Sequence, residues 1–247
     1  MIVVDQGNTQ AKICQIEDFS GKITDRASVK IPHDIAYPDF VNLMEDINIL
    51  ADIEDEKLYL SSVVKELTPY WIKAVKAITV DATWDLPLKC SHKELRGTDR
   101  LMMAVAVSEK KLPAIIVSLG TATVVDAMDE NKEFLGGMIA PGIVTAMQAL
   151  GEKASQLFCV NDFLKPESPL VKTDTRRTIE SGIFYHTVGS ITCMVNAAKS
   201  VFYGGKATVY LTGGMAEKVA PHLPFKVIIE NDLVLRGIYL TAKYKGN

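Results

Sequence analysis

The feature that most constrains this chain is a pattern that occurs twice. In "VVDQGNTQAKI", residues 3–13, a short apolar run enters Asp5, turns through Gly7, Asn8 and Thr9, and leaves as a second alternating segment. In "IIVSLGTATVVDA", residues 115–127, a longer apolar run turns through Gly120, Thr121 and Ala122 and again leaves as a strand pattern. Gly7 and Gly120 hold equivalent places. Stretches with helical spacing follow each hairpin. A supersecondary unit repeated in this way predicts two similar α/β lobes, each offering a polar glycine turn, with a cleft between them. The competing reading is two unrelated β-hairpins. We place the lobes at residues 1–110 and 111–247.

The intervening segments agree with mixed α/β architecture. "KITDRASVKI" reads as a strand beside the first hairpin, "KLYLSSV" as another, and "TVDA" as a short one. "PDFVNLMEDINIL" carries apolar residues at helical spacing, and "LTPYWIKAVKAI" reads as a helix opened by Pro69. In the second half, "EFLGGMIAPG" is strand-like. Helical patterns run over about 142–165 and 174–203. "ATVYLTGG" and "FKVIIEN" read as strands, and "LVLRGIYLTAKY" as a closing helix.

Composition excludes several function classes. The chain has 247 residues and a formal net charge of −3, with Lys and Arg scattered, so no basic field invites nucleic acid or an anionic membrane. No run approaches the roughly 18 apolar residues of a membrane helix. The N-terminus lacks a basic region followed by a long apolar one, so no secretory signal is expected and the expected compartment is the cytoplasm. Cys14, Cys90, Cys159 and Cys193 lie far apart without a CxxC pair, which argues for isolated reduced thiols.

The turns suit anions. Glycine beside Asn or Thr lets backbone N–H groups approach a phosphate closely, and the Thr hydroxyl adds a donor. A carboxylate such as Asp5 would repel phosphate, but it makes sense as a holder of hydrated Mg²⁺ bridging the phosphates. Lys12 adds positive charge if its strand turns it inward. The structural alternative is a plain hairpin with Asp5 ending a strand. Thr121 and Thr123 stand in the second turn. "LTGGMAE", with Gly213 and Gly214, suits close approach of a ring or ribose, and "GGMIAPG" ends at a helix start with free N–H groups.

"LRGTDRLMMAVAV" then places Gly97, Thr98, Asp99 and Arg100 ahead of an apolar helix. Asp99 sits where a helix N-terminus favours a carboxylate. It reads either as an N-cap with Thr98 or as the base that accepts a hydroxyl proton in phosphoryl transfer. Arg100 reads as a bidentate partner for a substrate carboxylate or as a surface Arg. His92 reads either as a catalytic group or as a surface histidine, and Asp126 either as a contributor to a cation site or as a strand-end residue.

In this order, "DQGNTQAK", "GTDR", "GTATVVD", "GGMIAPG", "DTRRTIESGI" and "TGG" resemble the type III pantothenate kinases of the acetate-and-sugar-kinase/Hsp70/actin superfamily, over nearly the whole chain. The resemblance implies two actin-like (ribonuclease H-like) lobes, each a mixed sheet flanked by helices, with a nucleotide cleft between them. It implies ATP-dependent phosphorylation of pantothenate to 4′-phosphopantothenate, the first step towards coenzyme A. Asp5, Gln6, Gly7, Asn8, Thr9, Gln10, Ala11 and Lys12 would hold ATP phosphates and Mg²⁺, with Asp5 the metal residue, directly or through water. Thr121, Gly213 and Gly214 would contact ATP. Gly97, Thr98, Asp99, Arg100 and Thr175 would line the pantothenate site, with Asp99 as base. The family resemblance further implies a homodimer and a monovalent cation, potassium or ammonium.

Two residues depart from the family pattern. Ser118 stands where the family has an Asp that binds the monovalent cation, leaving a neutral hydroxyl in place of a charge. Cys90 stands where a Tyr touches pantothenate, and Lys93 replaces a nearby Pro. Tyr70 and Trp71 are the aromatic residues that stand as candidates to compensate. Two other readings stay open on these departures: a non-catalytic nucleotide-binding relative that acts as a regulator, and a kinase for another small alcohol.

Overall fold

A computed structural model describes residues 1–17, 20–47, 56–153, 170 and 174–245. Cys159, the end of the predicted first helix (48–50) and the stretch 154–165 of the predicted helix after residue 142 lie outside the described residues. The chain divides into two compact units, Met1–Lys110 with Leu233–Asn247, and Lys111–Asp232.

In the first unit, β1 (Ile2–Gln6) pairs antiparallel with β2 (Ala11–Ile16), which pairs antiparallel with β3 (Ile23–Val29). Helices α1 (Tyr37–Asp46) and α2 (Thr68–Val75) flank β4 (Leu58–Ser62) in sequence. β4 lies parallel to β1, and β5 (Ile78–Thr79) parallel to β4. The sheet order is β3-β2-β1-β4-β5. Pro69 sits in the first turn of α2, where its missing N–H costs nothing. α3 (Thr98–Ser108) follows.

The second unit repeats this plan. β6 (Ala114–Leu119), β7 (Ala122–Met128) and β8 (Phe134–Pro141) form an antiparallel meander. Helices α4 (Ile143–Lys153) and α5 (Thr175–Lys199) lead to β9 (Thr208–Thr212), parallel to β6. After α6 (Ala216–Val219), β10 (Ile228–Ile229) pairs parallel with β9. The order β8-β7-β6-β9-β10 is the first sheet's order over again. Two copies of one five-strand topology, each with helical crossovers, are actin-like (ribonuclease H-like) lobes. The sequence repeat is therefore a fold repeat and not two chance hairpins.

Strand alternation sorts the cores. In the first sheet, Ile2, Val4, Ala11, Ile13, Leu58 and Leu60 face α1 and α2, where Phe40, Met44 and Trp71 are buried. Val3, Cys14 and Ile16 face the other way, towards Leu101 and Met102 of α3. In the second unit, Ile115, Val117, Val125 and Leu211 pack with Phe184, Ile191 and Val195 of α5. Asp174 caps α5, its Oδ1 accepting from Arg177 N at 2.7 Å.

The last helix departs from the sequence reading. We placed residues 233–247 with the second lobe, but α7 (Leu233–Lys245) packs on α3, β1 and β4 of the first unit. Its Leu235, Ile238 and Tyr239 complete the core around Val3 and Leu101. Gly237 makes this possible: a Cβ there would lie 1.8 Å from Met102 O and 2.4 Å from Met102 C. Helix propensity alone favours Ala over Gly by about 1 kcal/mol. Backbone contact reverses that sign, because α3 is fixed on its sheet. Gly237→Ala is expected to lower the stability of the protein by about 2–3 kcal/mol, read as a lower urea midpoint; an unchanged or raised midpoint would refute this packing.

Candidate active site

The first unit places Asp5 and Lys12 side by side on one sheet face. The register sets Asp5 opposite Lys12 of β2 and Ser61 of β4. Asp5 shares the face of Val3, away from the core around Phe40. The turn after β1 closes with Gly7 N donating to Gln10 O at 3.1 Å, and leaves Asn8 and Thr9 exposed. A Cβ on Gly7 would stand 3.3 Å from Gln10 O, so the turn is tight. His33 Nε2 lies 2.8 Å from the Asn8 carbonyl oxygen and ties the turn to the segment before α1. That histidine was missed in the sequence, where nothing in its surroundings marks it.

Within the predicted phosphate segment, not every side chain is free for a ligand. Gln6 is 1% exposed: its Oε1 accepts from Trp71 Nε1 at 3.0 Å and its Nε2 donates to Gly7 O at 2.9 Å. Its side chain holds the turn from behind. Ala11 is fully buried in the same core. Asp5, Asn8, Thr9 and Lys12 keep side chains outside that core, and Gln10 is partly exposed.

The start of α3 brings the second carboxylate. Thr98 Oγ1 donates to Ser62 O at 3.2 Å and pins the helix to the end of β4. The N-cap residue is Gly97, with no side-chain cap, so neither Thr98 nor Asp99 acts as an N-cap. Asp99 Oδ1 folds back to accept from Arg100 N at 2.8 Å, and a Cβ on Gly97 would meet that same oxygen at 2.6 Å. The glycine of "GTDR" is therefore the space the carboxylate occupies.

Burial pushes the Asp5 carboxyl up to about 7, Lys12 pulls it down, and Asp99 pushes it further up. Asp5 and Asp99 thus feel one another electrostatically. Such a pair is relieved by a bound cation, and Asp5 is the residue that would hold Mg²⁺ beside phosphate oxygens.

Around the acceptor motif, Cys90 is half-buried, its Sγ donating to Ser91 O at 3.6 Å. Burial pushes its thiol up, against the Arg96 guanidinium. Trp71 does not stand in for a missing Tyr, being fully buried and committed to Gln6; Tyr70 is partly exposed and packs edge-on against Tyr37 and Phe40. His92 is exposed beside Glu94, as read from the sequence.

The second unit presents its own turn. Gly120 is exposed and a Cβ there would meet nothing, as at Gly214. Gly142 and Gly213 serve the backbone instead. A Cβ on Gly142 would lie 2.1 Å from Gly120 O, and one on Gly213, at φ +97°, 2.4 Å from Leu119 O. The Thr121 carbonyl accepts from Gly142 N at 3.0 Å and Thr145 Oγ1 at 2.7 Å, seating α4 against the hairpin. Ser118 lies in β6 opposite Val124 and Thr212. Asp126 is not at a strand end: it is buried in mid-β7, opposite Gly137, whose Cβ would meet its Oδ1 at 2.5 Å. Thr175 begins α5 and is exposed. Among the described residues no three His, Cys, Asp or Glu side chains form a metal cluster, and no helix is long and apolar enough to cross a membrane.

The raised Asp5 pKa has a stability consequence. The unfolded carboxyl ionises near 3.9, the folded one near 7, so the folded state binds more protons between those values and loses stability as pH rises through them. Asp5→Asn is expected to raise the ligand-free melting temperature at pH 8, with the gain fading towards pH 4. Equal melting curves at pH 8 would show that Asp5 carries no such penalty.

Comparison with known proteins agrees with this geometry. A family model for type III pantothenate kinase matches residues 1–197. A type III pantothenate kinase of Thermomicrobium roseum is 31% identical, over 72% of this chain and 71% of its own length. One from Citrifermentans bemidjiense is 30% identical, over 96% of each chain. The crystal structure of a conserved Baf family protein from Campylobacter jejuni superposes with a TM-score of 0.65 at 18% identity, over 100% of both chains, a likeness of fold alone. With the Asp5 hairpin, the Gly97–Asp99 turn and the doubled topology in place, this chain belongs to the type III pantothenate kinase family.

Proposed function

We propose that this chain phosphorylates pantothenate with ATP to give 4′-phosphopantothenate and ADP, the entry step to coenzyme A. The observation that carries this reading is the carboxylate pair: Asp5 on the phosphate hairpin and Asp99 on the first turn of α3, electrostatically linked, with Gly97 making room for the second. A binding module has no use for the second carboxylate, whose mutual repulsion with the first is a cost.

In this reading, backbone N–H groups of Asn8 and Thr9 and the Lys12 ammonium bind the ATP phosphates, with Gly7 N held by Gln10 O to close the turn. Thr121, Gly213 and Gly214 are further ATP-contacting residues in this reading; of these, Gly214 has open space for close approach. Mg²⁺ held by Asp5 would neutralise phosphate charge as the β–γ bond breaks. Asp99 orients the primary hydroxyl of pantothenate and takes its proton as the oxygen forms the bond to the γ-phosphorus; the bridging P–O electron pair leaves with ADP. Arg100 pairs the pantothenate carboxylate. Thr175 and Cys90 belong to the acceptor site, and the Cys90 thiol supplies less area and a weaker donor than a phenol. A homodimer in the cytoplasm completes the reading.

The Ser118 hydroxyl does not match a site built for a carboxylate-bound monovalent cation. Turnover in sodium buffer is expected within a fewfold of that in potassium or ammonium.

The test is ADP release by purified protein with Mg-ATP, with and without pantothenate. Pantothenate-dependent release is expected. Its absence with ATP binding intact would point to another alcohol or to a regulator that only binds nucleotide. Asp99→Asn is expected to lower kcat by at least about 100-fold while leaving ATP affinity nearly unchanged; kcat within a fewfold of wild type would remove Asp99 from the role of base.

A further inference from the structure

One buried polar group next to this site has no task in the reading above. Ser61 is 1% exposed, and among the described residues nothing hydrogen-bonds its Oγ. Its neighbours on β4 behave differently. Leu58 and Leu60 face the core under α1 and α2, and Tyr59 faces the other core. Alternation along the strand therefore turns Ser61 to the face of Tyr59, Val3 and Asp5. The register makes Ser61 the direct partner of Asp5 in the parallel pair, with strands about 4.8 Å apart. Lys12, Asp5 and Ser61 form one polar row across β2, β1 and β4. Just beyond, Thr98 Oγ1 bonds to Ser62 O and sets Asp99 beside the end of the same strand.

An unpartnered hydroxyl at such a place is costly. Ala would fit with almost the same volume and no loss of a hydrogen bond, so the fold alone does not call for Ser. A hydroxyl both donates and accepts. Waters around a hydrated divalent cation donate, and the carboxylate that faces them accepts. A hydroxyl in the row with Asp5 can take a hydrogen from such a water. That bond forms only when the cation and its waters are present, which accounts for the lack of a partner in the protein alone.

We propose that Ser61 is a positioning residue for the divalent cation at Asp5, its hydroxyl accepting from a cation-bound water in the row beside the Asp5 carboxylate. The inference rests on the kinase reading. Outer groups of this kind fix the orientation of a metal-binding carboxylate and typically change metal affinity 10-fold or more. The role predicts opposite signs in two states. Without ligand, removing the hydroxyl removes an unsatisfied polar group and leaves the protein as stable or more so. With the cation and nucleotide, its removal weakens binding.

The experiment uses Mn²⁺ with AMP-PNP, following free Mn²⁺ by electron paramagnetic resonance, on wild type, Ser61→Ala, Ser61→Cys and Asp5→Asn. Ligand-free melting temperatures are measured in parallel. Ser61→Ala and Ser61→Cys are expected to raise the Mn²⁺ dissociation constant about tenfold, with ligand-free melting temperatures equal to or above wild type for Ala. Cys fills the hydroxyl's place with a somewhat larger atom that is a poor hydrogen-bonding group, so a result matching Ala, which leaves the place empty, separates bonding from packing. Unchanged Mn²⁺ affinity in the Ser61 variants, with Asp5→Asn weakened, overturns the role of Ser61 alone. Tight Mn²⁺ binding by Asp5→Asn overturns the metal reading of the site and this inference with it. A lower ligand-free melting temperature in Ser61→Ala shows a hydroxyl already bonded within the fold, and also overturns it.

Discussion

Everything in the first unit depends on the register of β1 at the middle of its sheet. The strand is paired on both sides, antiparallel to β2 and parallel to β4. Because side chains alternate, a slip of one residue would turn Asp5 into the core of Phe40 and Trp71 and bring Gln6 to the polar face. Gln6 guards against that slip. Its amide is held by Trp71 Nε1 on one side and the Gly7 carbonyl on the other, so a polar residue inside an apolar core is satisfied in this register. Placing Asp5 and anchoring the turn are thus one act of packing.

The same register concentrates charge where the fold gains nothing from it. Burial drives the Asp5 carboxyl up to about 7, with Lys12 as compensation and the charge of Asp99 adding to the rise. An unoccupied protein carries this as lost stability at neutral pH, and a bound cation and phosphates would relieve it. Gly97 belongs to the same economy of space, since any side chain there would occupy the position of the Asp99 carboxylate. Cost without structural return is the mark of a functional site on an otherwise consistent fold.

The second unit uses glycine differently from what its sequence suggests. Its three glycine elements at strand ends, around Gly120, Gly142 and Gly213, read as surfaces for a ligand. Gly142 and Gly213 instead let α4 and the turn after β9 come within contact of the Leu119–Thr121 carbonyls, and Gly137 makes room for buried Asp126. Only Gly120 and Gly214 of those compared here leave open space. Backbone packed against backbone makes the hairpin rigid, and a rigid turn is what close approach of a ligand needs.

Much was legible in the residues themselves. Alternation and turn chemistry marked the strands, Pro69 marked a helix start, and the doubled hairpin announced the doubled fold, because these are local properties of a few adjacent residues. Asp5, Lys12 and Asp99 stood out for the same reason, as charges placed beside glycine turns. What the residues alone left open came from distant contacts. The last helix joins the first unit because Gly237 fits the backbone of α3; Asp126 is buried in mid-strand because Gly137 lies across from it; Ser61 stands beside Asp5 because two strands far apart in sequence pair in parallel. Sequence determined which elements form and which residues carry the chemistry, since period and composition are local. Tertiary structure decided which of those residues meet, since that depends on register and on which backbones can touch.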